Sequence, residues 1–192
     1  MPKLGMEPIR REALVQATIA EIGAAGSLDV TVSRIARRAG MSSALAHHYF
    51  GGKDQIFLAA MRRILADFGT QARRELAAAA PDDRAAAIIR ACFAPACFTP
   101  AVIGAWMTFY VLAQSDPQAL RLWRIYQRRL RSNLAHGLRA VSHDPETGAA
   151  ILAALIDGLY LRAALDHPGA PERAEAQALA VLSLLTAPRG EG

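Results

Sequence analysis

TVSRIARRAGMSSALAHHYFGGK, residues 31–53, holds two short helical patterns on either side of a glycine. Thr31 is a good N-cap, because its hydroxyl can accept from the free amides of a helix start. Val32, Ile35, Ala36 and Ala39 recur at i, i+3, i+4 and i+7 and so face inward, leaving Ser33, Arg34, Arg37 and Arg38 outside. Gly40 ends this helix, and Ser42 caps a second one over about 43–49, before Gly51 and Gly52 break the chain again. Two short helices joined by the tight turn Ala39-Gly40-Met41-Ser42 form a helix-turn-helix arrangement. A rigid pair of this kind projects its second helix into the major groove of DNA, where phosphate contacts fix register and base edges supply sequence choice. The same spacing also fits an ordinary helical hairpin, so the surrounding sequence has to discriminate.

Outward from this segment the chain reads at helical period throughout, with no alternating strand pattern and no internal repeat. Helix 1 covers about 7–25, with Leu14, Ala17, Thr18 and Ile22 on one face and Gly26 as a stop. Lys53 and Asp54 open a long fourth helix whose apolar side is Ile56, Phe57, Ala60, Ile64 and Phe68. A turn at 80–83 leads into a helix over 84–93, and beyond the loop from Pro95 to Pro100 a strongly apolar helix covers 101–114. Asp116-Pro117 starts the next helix, where Trp123, Tyr126, Leu130, Leu134 and Leu138 form one stripe and Arg121, Arg124, Arg128 and Arg131 another. No acid lies between Asp116 and Asp144, so the arginines are expected to pair with acids from elsewhere in the fold. Helices over 147–165 and 171–186 follow, separated by a turn at His167-Pro168-Gly169, and the tail from Ala187 is expected to fray. The expected fold is all-α: an N-terminal three-helix helix-turn-helix domain, residues 8–68, and a C-terminal helical bundle, residues 69–192, with about nine helices in all.

The net positive charge suits an anionic partner without naming one. The 192-residue chain carries 22 Lys and Arg against 17 Asp and Glu. Residues 1–63 hold nine of the basic groups and five of the acids, so the excess is concentrated beside the helix-turn-helix. Cys92 and Cys97 fit no zinc or redox spacing, and a reducing cytoplasm is the expected setting. Residues 91–115 contain no charge and are long enough to span a bilayer. Pro95 and Pro100 interrupt them, and Thr99, Thr108 and Gln114 are polar, so a buried helix after a loop is expected and no membrane partner. No Gly-rich phosphate loop, metal-ligand cluster or nucleophile–base set is present, which argues against an enzyme and against a metal or cofactor. His47 and His48, adjacent on a helix, point about 100° apart and make poor joint metal ligands.

The stretch 31–42, then HYFGGK at 48–53, closely resembles the DNA-binding domain of the TetR family, as do Leu14, Ala17, Thr18 and Gly26 of helix 1. MPKLGM at 1–6, IARRAG at 35–40, HYFGGKD at 48–54 and ALIDGLYLRAAL at 154–165 resemble the BetI-type subfamily, so the likeness extends beyond the DNA-binding part. That subfamily represses genes of choline uptake and oxidation to glycine betaine. Position by position, the resemblance implies that Thr31 and Arg34 lie near backbone phosphates. It implies that Ser42 caps helix 3 and donates to phosphate, and that Ser43, Ala44, Leu45 and His48 face base edges. Tyr49 would reach sugar-phosphate or pack against the helix pair. Lys53, at a helix start, is the strongest phosphate candidate, because its charge adds to the helix dipole. His47 departs from the family, many of whose members have a phosphate-contacting Tyr there. Arg37 and Arg38 are read as a solvated face.

The family also implies a homodimer through the last two helices. The 151–165 segment is apolar nearly all round, with Ala153, Ala154, Gly158, Ala163 and Ala164 permitting close approach, and Ala178, Val181, Leu182 and Leu185 of the final helix are expected to share the interface. A palindromic operator needs two recognition helices about 34 Å apart. For the effector, Trp106, Phe109, Tyr110, Trp123, Tyr126 and Tyr160 supply aromatic faces that attract a quaternary ammonium, and Asp157 can neutralise it, which suits choline. Core packing is the competing reading for each aromatic. The expected mechanism is a two-state repressor that leaves its operator when the C-terminal domain binds effector. A repressor of an efflux or catabolic operon with another hydrophobic or cationic ligand, and a helical interaction module without DNA binding, stay open as alternatives.

Overall fold

The computed structural model describes residues 5–25, 30–166 and 170–187. Gly26 and the His167–Gly169 turn lie outside these residues, as does the tail beyond Ala187. Among the described residues the chain forms nine α-helices and no strand. They are α1 (Met6–Ala25), α2 (Val32–Arg38), α3 (Ser43–Phe50), α4 (Lys53–Ala78), α5 (Arg84–Phe93), α6 (Pro100–Leu112), α7 (Pro117–Leu138), α8 (Pro145–Leu165) and α9 (Ala170–Thr186). Two short 3-10 turns, Pro81–Asp83 and Pro95–Phe98, precede α5 and α6.

Helix starts follow from local side-chain chemistry. Thr31, Ser42, Thr99 and Asp144 each accept from the backbone amide three residues on, at 3.1–3.3 Å. Asp116 does the same for the amide of Ala119 at 2.6 Å, which fixes the start of α7. Capping by Asp144, with Pro145 in the first turn, starts α8 two residues before the expected Thr147.

The chain divides into two compact units, and the line between them does not follow sequence order. Residues 1–66 and 99–122 make the first; residues 67–98 and 123–192 make the second. The expected division at 68/69 puts all of the 101–114 helix in the C-terminal bundle. By contact, α6 groups with α1, α2, α3 and the start of α4. The physical reason is a close helix crossing. A Cβ on Gly23 of α1 would lie 2.5 Å from Cα of Ala101, and a Cβ on Gly104 would lie 3.1 Å from Cγ2 of Ile22. The core of this unit is Leu14, Thr18, Ile22, Ile35, Ile56, Phe57 and Phe109, all buried.

In the second unit α9 lies against α5 and α8. Ile88, Ile89, Leu134, Leu138, Leu152, Ile156, Ala178 and Leu182 fill its interior. Gly137 of α7 allows backbone contact with α5, since a Cβ there would meet the amide nitrogen of Ala85 at 2.8 Å.

The charge-free stretch 91–115 is divided among the end of α5, a 3-10 turn and α6, with Thr99 capping the new helix. By length and composition α8 is apolar enough to cross a bilayer. Its sides differ, however. Leu152, Ala153, Ile156, Leu159 and Ala163 are buried, whereas Ile151, Ala154, Gly158, Leu161 and Leu165 are exposed. Within a single chain α8 is thus covered on one side only.

Candidate nucleic-acid interface and ligand site

The α2–turn–α3 unit is held rigidly from both ends. Gly40 takes φ +67°, with its amide on the carbonyl of Arg37 at 3.1 Å and that of Met41 on Ala36 at 2.8 Å. This paired closure ends α2 and turns the chain, and a side chain with a Cβ would be strained there. Ser43 Oγ donates to Ser33 Oγ at 3.1 Å, tying α3 back to α2. At the far end Gly51 takes φ +79° and its amide bonds the carbonyl of His47 at 2.6 Å.

Two residues outside the motif complete this frame, and the sequence reading gave neither a role. Arg11 of α1 donates to the carbonyl of Tyr49 at 2.5 Å and lies 4.4 Å over the ring of Phe50. Glu21 of α1, 6% exposed, receives Arg38 at 2.5 Å and Arg34 at 2.9 Å. The hydrogen bond from Arg38 is the main cause that holds the Glu21 carboxyl below its ordinary range, against the opposing effect of burial. Arg38, expected on a solvated face, is thus a structural partner of Glu21. Arg34, expected near phosphate, shares that partner and offers a phosphate only the rest of its guanidinium. Arg37 points away exposed, as expected.

On α3 the exposure pattern is what an inserted helix needs. Ala46 is fully buried against the frame. Ala44, His47 and His48 are exposed, with Ser42, while Ser43, Leu45 and Tyr49 are half-buried. Thr31 is exposed at the start of α2. His47 Nδ1 lies 3.2 Å from the carbonyl of Gly51, so this ring nitrogen serves the helix end and only Nε2 faces outward chemistry. His48 and Tyr49 have ring centroids 5.5 Å apart. Lys53 is half-buried in the first turn of α4, its Nζ 5.5 Å from the Phe57 ring centroid. Among the described residues no cluster of three or more His, Cys, Asp or Glu side chains could hold a metal ion.

The residues expected to form the effector site fall into two groups, with Trp123 apart from both. Trp106, Phe109 and Tyr110 cluster on α6 in the first unit, with centroids 5.9 Å (Trp106–Phe109) and 5.8 Å (Trp106–Tyr110) apart. Phe109 is 2% exposed, and the void it lines with Ile22, Phe57 and Met61 holds only about 10 Å³. That is roughly room for one water, so Phe109 is core. Tyr126, Asp157 and Tyr160 lie in the second unit. Asp157 accepts from Nε2 of Gln127. Tyr160 donates its hydroxyl to the carbonyl of Cys97 at 2.7 Å, and its ring lies 4.7 Å from that of Phe98, which stacks on Phe93 at 6.1 Å. Tyr126 meets Phe68 edge-on at 6.2 Å. Phe68, Phe93, Phe98 and Gln127 thus join this neighbourhood from outside the expected set. Trp123 lies instead in a groove on α7 with Arg124 and Arg128.

Comparison with known proteins agrees with this architecture. Residues 14–60 match the model of bacterial regulatory proteins of the tetR family, and residues 81–187 match the C-terminal domain of BetI-type transcriptional repressors. The chain is 51% identical over 185 residues to the HTH-type transcriptional regulator BetI of Brucella suis biovar 1, covering 93% of this chain and 91% of that protein. It is 50% identical over 168 residues to the BetI regulator of Rhizobium meliloti, covering 86% and 83%. A TetR transcription regulator from Haloarcula marismortui has the same fold, with TM-score 0.84 at 23% identity over 94% of this chain and all of that one. A transcriptional regulator from Saccharomonospora viridis, solved in complex with choline, superposes with TM-score 0.77 at 19% identity, covering 90% and 95%. The chain belongs to the TetR family of transcriptional regulators, with a C-terminal domain of the BetI type, and is a DNA-binding repressor rather than an enzyme.

Proposed function

We propose that this repressor acts in the cytoplasm as a homodimer, controls genes of choline uptake and glycine betaine synthesis, and leaves its operator on binding choline. Residues 8–68 bind DNA in this reading, and residues 69–192 sense and dimerise. The observation that carries it is the exposed side of α3, presented on a frame locked by Gly40, Ser43, Arg11 and Glu21. Ser43, Ala44, Leu45 and His48 read the major groove. Thr31, Arg34, Ser42, His47, Tyr49 and Lys53 hold the backbone.

Dimerisation rests on α8 and α9. Ile151, Ala154, Gly158, Leu161 and Leu165 repeat at alternating spacings of three and four, a continuous seam for a partner helix. The α9 contribution differs from the expected one. Ala178 and Leu182 are consumed inside the chain, so Ala176, Ala180 and Leu184, which are exposed, face the partner instead. Leu161→Glu, by putting a charge in the seam, should give a monomer by sedimentation and abolish operator binding. A stable dimer of this variant would place the interface elsewhere.

For the effector, Asp157 is the counter-ion and Tyr126 and Tyr160 the aromatic walls, with Phe98 added. The choline bound to the Saccharomonospora viridis regulator and the BetI names of the relatives support the ligand class. Asp157→Asn should weaken choline binding in calorimetry by about tenfold or more, about 1.4 kcal/mol. Unchanged affinity would remove Asp157 from the site.

A further inference from the structure

The arginine face of α7 does not find the acids that its sequence calls for. Arg124, Arg128, Arg131 and Arg139 are exposed, and none has an ion pair or side-chain hydrogen bond among the described residues. Arg124, Arg128 and Arg131 lie four and three residues apart along one side of α7, with Arg139 just beyond its end, so like charges face each other, an arrangement that destabilises a helix until something neutralises it. All four line a single groove of about 490 Å³ in the second unit. Glu146 is the one carboxylate of that lining, so the groove keeps a clear positive excess. Trp123 lines it too, and its indole Nε1 is buried without an acceptor. A buried donor without a partner is uncommon and calls for one.

We propose that this groove is a second ligand site, next to the choline site and linked to it by Gln127, which lines the groove and donates to Asp157, and that it takes a small organic or inorganic polyanion with at least two phosphate or carboxylate groups. Each guanidinium offers a planar fork that grips one such group through two parallel hydrogen bonds, which a lysine cannot do. The groove's volume is that of a small-molecule site. Its concavity and the carboxylate of Glu146 suit a compact ligand better than a duplex, whose continuous phosphate ridge Glu146 would repel. The indole N–H of Trp123 supplies a neutral donor to one oxygen of the bound anion.

Calorimetry on the full chain, titrated with sodium tripolyphosphate and separately with citrate at about 0.15 M salt, tests this while limiting diffuse attraction. One saturable site per chain is expected for at least one of the two probes, and the stronger probe tells phosphate from carboxylate recognition. Arg128→Gln with Arg131→Gln should weaken it by about tenfold or more. Arg121→Gln with Arg129→Gln removes the same charge from the same helix outside the groove and should change it by less than about twofold. Trp123→Phe keeps an aromatic ring but removes the indole N–H, and should weaken binding severalfold. Equal loss in both double variants would mean diffuse charge and overturn the proposal. So would the lack of saturable binding of either probe, or a Arg128/Arg131-dependent affinity for non-operator duplex alone.

Discussion

Glu21 lies almost fully buried between Arg34 and Arg38, and couples α1 to the first helix of the DNA-reading pair. Because its carboxyl is held below the ordinary value of 4.5, its contribution to stability is complete above that value and is lost as pH falls through the lower, folded one. Glu21→Gln should therefore lower stability at neutral pH by about 1–2 kcal/mol, a figure kept modest because both arginines are half in water. It should also flatten the acid limb of a stability–pH profile measured by thermal melts. An unchanged acid limb would show that the pair contributes nothing. The two cysteines make a contrasting case. Burial pushes the Cys97 thiol up to about 11 and raises Cys92 further. Neither should be alkylated by iodoacetamide in the native protein at pH 8, where the thiolate is scarce. Fast labelling of either would contradict their placement.

At the scale of the element, glycines decide where helices meet and stop. Gly23 and Gly104 let α1 and α6 touch backbone to backbone. Gly23→Val should cost at least about 3 kcal/mol through overpacking against Ala101, seen as a lower midpoint in urea. Gly40→Ala should cost about 1–2 kcal/mol through the left-handed backbone, and should weaken DNA binding by loosening α3. The helix-turn-helix was legible because everything that makes it is local: Thr31 and Ser42 as caps, Gly40 as a stop, an apolar face at helical spacing. The helix boundaries followed for the same reason. The partners of that unit were not legible, since Arg11 and Glu21 reach it from α1 across the fold, and their residue types look like ordinary surface charge in sequence. The close packing of α6 on α1 was not legible for a related reason: chain order says nothing of a crossing made by two glycines. That Ala178 and Leu182 of α9 are covered by the chain itself was not legible, because an apolar repeat does not tell which side the chain covers.

At the scale of the whole molecule, one chain leaves an apolar seam on α8 and α9 uncovered and the Ala44, His47 and His48 side of α3 exposed. Both features make sense together if two copies join through the seam and present two α3 helices to one duplex. The phosphate contacts make such binding salt-dependent, and Lys53→Ala should reduce the slope of log affinity against log salt by about one. In this reading a choline-bound state can shift the operator equilibrium only as far as choline prefers it, so release should stay incomplete at saturating choline if that preference is modest.

The most direct test is a gel-shift titration of the full-length protein on duplex from its own promoter region, with and without choline. The account predicts a salt-sensitive complex of two chains per site, lost on His48→Ala and dissociated by choline. A complex unaffected by His48→Ala and by millimolar choline would contradict it.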